Sequence, residues 1–324
     1  MRSKIFVAGH QGLVGRAIVR RLERASSHHL VIRSHAELDL ADQRAVRAFF
    51  EQERPEIVIL AAAKVGGIAA NQMFPADFLM TNLAIQSVVF EAACRYGVRR
   101  LLFFGSTCAY PKHSPQPMRE EYLLTGPLEP TSEPYAIAKL AGMKACAAYN
   151  RQHGTLFLSI IPATLYGPGD NFDPAFSHVV SGLIRRLHDA KAANAVNCAV
   201  WGTGRARREF LHADDAAEAC LFLLRQDERR LREELEPTAY VLNVGTGEDA
   251  EVIDLARLIA EAVGFEGELM TDPSKPDGAP RKLLDSSRMR ALGWAPCVPL
   301  AEGIRATARW YITKHESRDV VAAR

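Results

Sequence analysis

Cysteine is sparse and scattered in this chain of 324 residues: there are six thiols, at Cys94, Cys108, Cys146, Cys198, Cys220 and Cys297. None forms a CxxC pair or a Cys/His cluster at the spacing of zinc ligands, which excludes a disulfide framework and a structural metal centre. An excess of charge of one sign is also missing, since 40 basic residues offset 38 acidic ones for a net charge of +2. Such balance argues against a nucleic-acid or anionic-membrane partner. No apolar run reaches the roughly 20 residues that span a bilayer. Met1-Arg2-Ser3 passes directly into the strand-like Lys4-Ile5-Phe6-Val7-Ala8, leaving no room for a secretory leader. The expectation is a reduced, metal-free, cytoplasmic protein. Hydrophobic residues make up 48% of the chain, enough for a large core in one two-lobed unit or two domains.

Lys4 to Ala8 reads as a buried parallel strand, followed by Gly9-His10-Gln11-Gly12-Leu13-Val14-Gly15 and a helical stretch to about Arg24. Strand, glycine turn and helix form the context in which a GxxGxxG turn lets the backbone approach a pyrophosphate at a helix N-terminus. The second strand, Leu30-Val31-Ile32-Arg33, continues into Ser34-His35, where an NAD enzyme carries an acid for the ribose hydroxyls. A cation there suits a 2′-phosphate, so NADP is expected over NAD. Asp39-Leu40-Ala41-Asp42 opens a helix with Asp42 as its N-cap.

The third strand, Pro55 to Leu60, runs into small residues from Ala61 to Ile68, over which a cofactor can lie flat. After a long helix from about Pro75 to Tyr96, the fourth strand, Leu101 to Phe104, ends in Gly105-Ser106-Thr107-Cys108. Ligands of open parallel sheets bind beyond such carboxyl ends, which marks Ser106 and Cys108. Another strand, Leu156 to Ile161, leads to Pro162-Ala163-Thr164-Leu165-Tyr166-Gly167. The fold class predicted by this alternation is α/β, a doubly wound parallel sheet of Rossmann type with a smaller C-terminal substrate-binding lobe. The dinucleotide domain is expected over residues 1–170, with segments near 197–218 and 240–247 returning to it, and the substrate lobe mainly over 171–324. Helices are expected near 178–190, 214–225 and 252–263, a solvated charged loop or helix end over 227–236, and a frayed end after about Lys314.

Tyr135 and Lys139, four apart on a helix, share one face. A lysine charge beside a phenol favours the phenolate and lowers a pKa of about 10 toward the range of a working proton donor. Ketone reduction needs that chemistry, and Ser106 joins the pair at the sheet edge.

These residues resemble the GDP-L-fucose synthase family of extended short-chain dehydrogenases over almost the whole chain. Longer strings carry the likeness: AAAKVGGI at 61–68, EPTSEPYAIAK at 129–139, Ser177-His178-Val179, Arg208-Glu209-Phe210-Leu211 and KPDGAPRKLLD at 275–285. The resemblance implies NADPH-dependent 3,5-epimerisation and 4-reduction of GDP-4-keto-6-deoxy-D-mannose to GDP-L-fucose. It implies Ser106, Cys108, Tyr135, Lys139 and His178 as catalytic residues, with Cys108 and His178 as the acid–base pair of epimerisation. It implies NADP(H) contacts at Gly9, His10, Gln11, Gly12, Leu13, Val14, Gly15, Arg33, His35, Asp39, Leu40, Ala62, Ala63, Lys139, Pro162, Ala163, Thr164, Leu165 and His178. It implies GDP-sugar contacts at Arg186, Trp201, Arg208, Asp277 and Lys282, with a plain loop acid as the alternative for Asp277.

A homodimer is implied through the helix after Pro75 and the Tyr135 helix, where small Ala136, Ala138, Ala141 and Gly142 would permit close helix approach. Two cations common in the family, one within the glycine turn and one two past the strand-end arginine, are Gln11 and His35 here. The expected margin of NADPH over NADH is correspondingly smaller. The family's turn asparagine is Thr164. Rival readings are a 4-reductase without epimerisation, a C5 epimerase/reductase leading to GDP-colitose, and a non-catalytic NADP(H) sensor.

Overall fold

The computed structural model describes residues 3–25, 28–174, 176–235 and 239–322. Among these, six parallel strands form the main sheet in the order His29–Val31, Lys4–Ala8, Ile57–Leu60, Arg100–Phe104, Phe157–Pro162, Val241–Val244. The inner strands read as continuous apolar runs because both of their faces are covered; Ile57–Leu60, Arg100–Phe104 and Phe157–Pro162 are buried at every residue. Arg100 is tolerated in such a strand because its guanidinium donates to the carbonyls of Leu223, Leu224 and Gln226.

Helices Leu13–Ala25 and Ala213–Arg225 pack together, and Gln43–Glu53, Pro75–Arg95 and Glu133–His153 pack in a row. Right-handed crossovers put these two groups on opposite faces of the sheet. The chain leaves Lys4–Ala8 for one side and returns at Ile57–Leu60 on the other. Strand order therefore reverses between these two, the switch point at which open α/β sheets bind ligands beyond the carboxyl ends of their strands, here at the glycine turn and the 61–68 stretch. Asp42 is the predicted N-cap, its carboxylate accepting from the Arg44 and Ala45 amides.

A second core gathers Tyr166, Ile184, Leu187, Phe210, Leu255, Ile259, Ile304 and Tyr311. Helices Val179–Ala192, Val252–Val263 and Leu300–Ala322 supply much of it, around the parallel pair Asn197–Trp201 and Glu268–Asp272. Strand Arg207–His212 pairs with Asp249–Glu251, Arg281–Lys282 and Thr164–Tyr166. Of the later segments, Val241–Val244 lies at the edge of the main sheet. Asn197–Trp201 does not join that sheet; its alternating exposed and buried residues suit a two-stranded ribbon with one wet face. Leu211 and the helix after it pack into the main core.

Three local expectations are corrected. The charged stretch near 227–236 contains a helix, Glu228–Leu235, because Leu231 and Leu235 are buried one turn apart and Arg–Glu pairs spaced i,i+4 line its outer face. The last helix continues past Lys314, through Ala322. Ala136, Ala138 and Gly142 face inward rather than toward a partner: a side chain at Gly142 would meet the Phe103 ring at 2.5 Å and the Gln86 side chain. Small size there serves close packing of two helices and the sheet within one chain. Among the described residues no helix is long and apolar enough to cross a membrane.

Candidate active site

The glycine turn is tight for reasons of contact. Gly9 has φ +87°, its carbonyl accepts from the Gly12 amide at 3.0 Å, and a Cβ on Gly9 would lie 2.5 Å from the Ala62 nitrogen. A Cβ on Gly15 would collide with the Gly9 carbonyl. The turn thus lies directly against Ala61 and Ala62, and the first turn of Leu13–Ala25 presents its amides toward this switch point. The buried His10 Nδ1 has no hydrogen-bond partner among the described residues. These features fit a dinucleotide diphosphate, with Pro162 and Ala163 closing the sheet beyond Phe157–Pro162 and Thr164 and Leu165 starting the next strand.

After the second strand, Arg33 Nη1 donates to the Ile32 carbonyl at 2.8 Å and Nη2 to Glu53 Oε1 at 2.6 Å. Its guanidinium lies 5.4 Å from the Phe49 ring centre. His35 is exposed, 3.9 Å from the Asp39 carboxylate. Leu40 is buried, and Gln11 is exposed while its carbonyl accepts from Arg16.

Beyond Arg100–Phe104 a single helical turn, Thr107–Ala109, is capped by the Ser106 hydroxyl accepting from the Cys108 amide at 3.2 Å. Helix Glu133–His153 packs against this turn and carries Tyr135 and Lys139. The buried Lys139 ammonium donates to the Phe104 carbonyl at 2.8 Å and lies 5.8 Å from the Tyr135 ring centre. Burial pulls Lys139 down to about 7. Burial, then the neighbouring Cys108 charge, push the Tyr135 phenol well above its ordinary value, and a hydrogen bond with Ser106 opposes them. This corrects the expected effect of Lys139 on Tyr135: the two share a face, but desolvation of both groups outweighs their attraction.

Cys108 behaves in the opposite way. Burial disfavours its thiolate, yet the Lys282 charge and hydrogen bonds from Ser106, Ser132 and Lys282 together hold the thiol below its ordinary value. Lys282 Nζ lies 3.5 Å from Cys108 Sγ. Lys282 is itself aligned with Arg208 in the parallel pairing of their strands. Burial lowers the Arg208 pKa, and the Cys108 charge acts against that. Arg208 donates to the Asp277 and Arg207 carbonyls.

His178 precedes helix Val179–Ala192, its carbonyl accepting from Gly182 at 2.8 Å. The residues before it touch the 61–68 loop: Gly67 donates to the Phe176 carbonyl, and a Cβ on Gly67 would lie 2.8 Å from the Ser177 carbonyl. Asp170 lies near His178; burial raises its carboxyl, and His178 opposes that rise.

Further out, Arg186 stacks 4.8 Å from the Trp201 ring centre, with Lys275 at 5.7 Å from the same ring. This leaves a half-exposed aromatic flanked by cations. Asp277 is tied to the loop after strand Asn197–Trp201, its carboxylate accepting from the Thr203 amide and hydroxyl, each at 2.9 Å.

The structure therefore gathers Ser106, Cys108, Tyr135, Lys139, Arg208 and Lys282, and sets Arg33 and His35 apart. Three groups were missed from the sequence. Ser132 hydrogen-bonds Cys108 and lay unremarked within EPTSEPY. Asp170 gave no signal. Glu209 accepts from the Gly247 and Leu284 amides at 2.6 and 2.8 Å, tying the Lys282 segment to the Arg208 strand.

Residues 5–245 match the model of the NAD dependent epimerase/dehydratase family. The chain is 53% identical to GDP-L-fucose synthase 1 of Arabidopsis thaliana, with 96% of this chain and 93% of the relative covered. It is 49% identical to GDP-L-fucose synthase of Escherichia coli K12, covering 97% and 98%. Its fold resembles a GDP-L-fucose synthetase from Naegleria fowleri bound to NADP, with a TM-score of 0.86, 26% identity, and 98% and 96% of the two chains covered.

Proposed function

The chain belongs to the NAD dependent epimerase/dehydratase family and, within it, to the GDP-L-fucose synthases; from that premise we propose that it converts GDP-4-keto-6-deoxy-D-mannose to GDP-L-fucose with NADPH. The observation that carries the reading is the thiol of Cys108 beside Lys282 in the same cluster as Ser106 and Tyr135. A plain 4-reductase needs no stabilised thiolate there. A C4 ketone acidifies the hydrogens on C3 and C5, so inversion requires a base on one face of the ring and an acid on the other. Cys108 takes the proton and His178 returns one.

When bound, NADPH supplies the hydride for C4. Tyr135 protonates the developing oxyanion, Ser106 hydrogen-bonds it, and Lys139 orients the cofactor ribose. Arg186 and Arg208 hold the diphosphate, Trp201 packs on flat or apolar parts of the nucleotide sugar, and Lys282 contacts the sugar and favours the thiolate of Cys108. The NADP lobe comprises residues 1–170 together with Leu211, helix Ala213–Arg225 and Val241–Val244, and the substrate lobe takes most of the rest of 171–324.

The enzyme works in the cytoplasm as a homodimer. Support for the dimer is the outward apolar rim on Pro75–Arg95 and Glu133–His153, where Met80 and Ile137 are 61% and 43% exposed beside a groove lined by Leu83, Ala84, Ala141 and Tyr149.

The test is turnover in deuterated water with NMR of the product sugar. Deuterium at C3 and C5 with L-fucose stereochemistry is expected. An unepimerised, undeuterated product would leave a 4-reductase, and exchange at C5 alone would point to colitose-type chemistry.

A further inference from the structure

The cation at the end of the second strand does not stand free. Arg33 is held on one side by Glu53 Oε1 at 2.6 Å, and the side chain of Glu53 is only 19% exposed. Glu53 closes helix Gln43–Glu53, where the last carbonyls add partial negative charge. Lys4 Nζ answers that end of the helix, donating to the Glu53 carbonyl at 2.6 Å and to its carboxylate at 3.3 Å. On the other side stands Glu37, its carboxylate fixed by the Ser34 amide and hydroxyl at 2.7 Å each, with Arg33 among the charges it feels. Lys4 and Arg33 thus both face Glu53, and Arg33 also feels Glu37. The neighbouring His35 Nδ1 lies 3.9 Å from an Asp39 carboxylate oxygen.

We propose that Glu53 is a specificity-determining residue that weakens this chain's discrimination between NADPH and NADH by neutralising Arg33. A 2′-phosphate approaching Arg33 meets a guanidinium already paired, with two of its N–H groups directed at Glu53 and the Ile32 carbonyl. It also meets the repulsion of the Glu53 carboxylate. The ribose hydroxyls of NADH carry no charge and lose nothing by either effect. Gln11 and His35, exposed at the rim, add no fixed cation to offset the loss. The inference rests on the reading of Arg33 as the contact for the 2′-phosphate.

The experiment measures dissociation constants of NADP⁺ and NAD⁺ by calorimetry for the full-length wild type, Glu53→Gln and Arg33→Gln, with thermal unfolding to confirm folding. Glu53→Gln is expected to raise the NADP⁺ to NAD⁺ affinity ratio about three- to fivefold, the range of a partly exposed ion pair, by tightening NADP⁺ alone. Glu53→Asp withdraws the carboxylate by one methylene and gives a smaller rise in the same direction, which keeps the test alive should the glutamine variant misfold. A ratio that is unchanged or lower in Glu53→Gln overturns the proposal; a lower one would show that Glu53 holds Arg33 in place for the phosphate. Arg33→Gln separates the two layers of the argument. If it lowers the ratio and Glu53→Gln fails to raise it, only the role of Glu53 falls. If it leaves the ratio unchanged, the reading of Arg33 falls and the proposal with it.

Discussion

Tyr135 and Cys108 share one pocket and one dominant influence, burial, yet their acidities move in opposite directions. The phenol faces a lysine whose ammonium is directed at the Phe104 carbonyl, and the charge nearest to it in effect is the thiolate. The thiol faces Lys282, hydrogen-bonded at 3.5 Å, and hydrogen bonds with Ser106 and Ser132. Desolvation penalises both anions, so the sign of each shift is decided by where the nearest cation points. On the proposed function, the phenol held protonated serves as the proton donor and the thiol biased toward its thiolate serves as the base, the division of labour that epimerisation followed by reduction requires.

Four variants would break or sharpen this contrast. The largest effect is expected from Tyr135→Phe, which removes the donor: reduction should fall by about 10²- to 10⁴-fold. Deuterium exchange at C3 and C5 should persist, as read by NMR of the recovered substrate; loss of both activities together would mean that the two regions act as one. Cys108→Ser should reverse the pattern, with exchange falling by about 100-fold or more while NADPH oxidation on a sugar already epimerised continues.

Lys282→Met tests the cause of the thiol's acidity. With the cation gone the thiolate is disfavoured, so the Cys108 pKa rises and the midpoint of iodoacetamide alkylation against pH moves upward. About a tenfold loss of alkylation rate at neutral pH is expected for a shift of one unit. An unmoved midpoint would assign the acidity to Ser106 and Ser132 instead. The smallest change, Asp42→Ala, lies in neither region. It should cost about 1 kcal/mol of stability in urea unfolding through loss of the helix cap. It should leave the alkylation midpoint where it was, and a shift there would mean that stability and acidity are not separable in this fold.

The reductase half of the site was legible from the chain because its parts are local. Strand, glycine turn and helix follow one another from Lys4 to Ala25, and Tyr135 and Lys139 sit one turn apart. The thiol cluster was not legible from spacing, since Cys108 and Lys282 are 174 positions apart and Ser132 belongs to another turn. The strand end marked Cys108 and resemblance to a family added Lys282, but neither supplied their contact, and Ser132 was not singled out at all. Arg33 shows the same limit: its position at a strand end reads as a phosphate contact, while its pairing with Glu53 depends on how the following helix ends.

By itself the sequence determined the order of strands and helices, the glycine turn, the cap at Asp42 and the residue types of the site, because periodicity, turn chemistry and short spacings act between near neighbours. Tertiary structure decided which side chains are desolvated together and which cation each faces. Those quantities depend on distance and burial in space, and the chain acquires them only when the loops at the carboxyl edge of the sheet and the Lys282 segment close over one pocket.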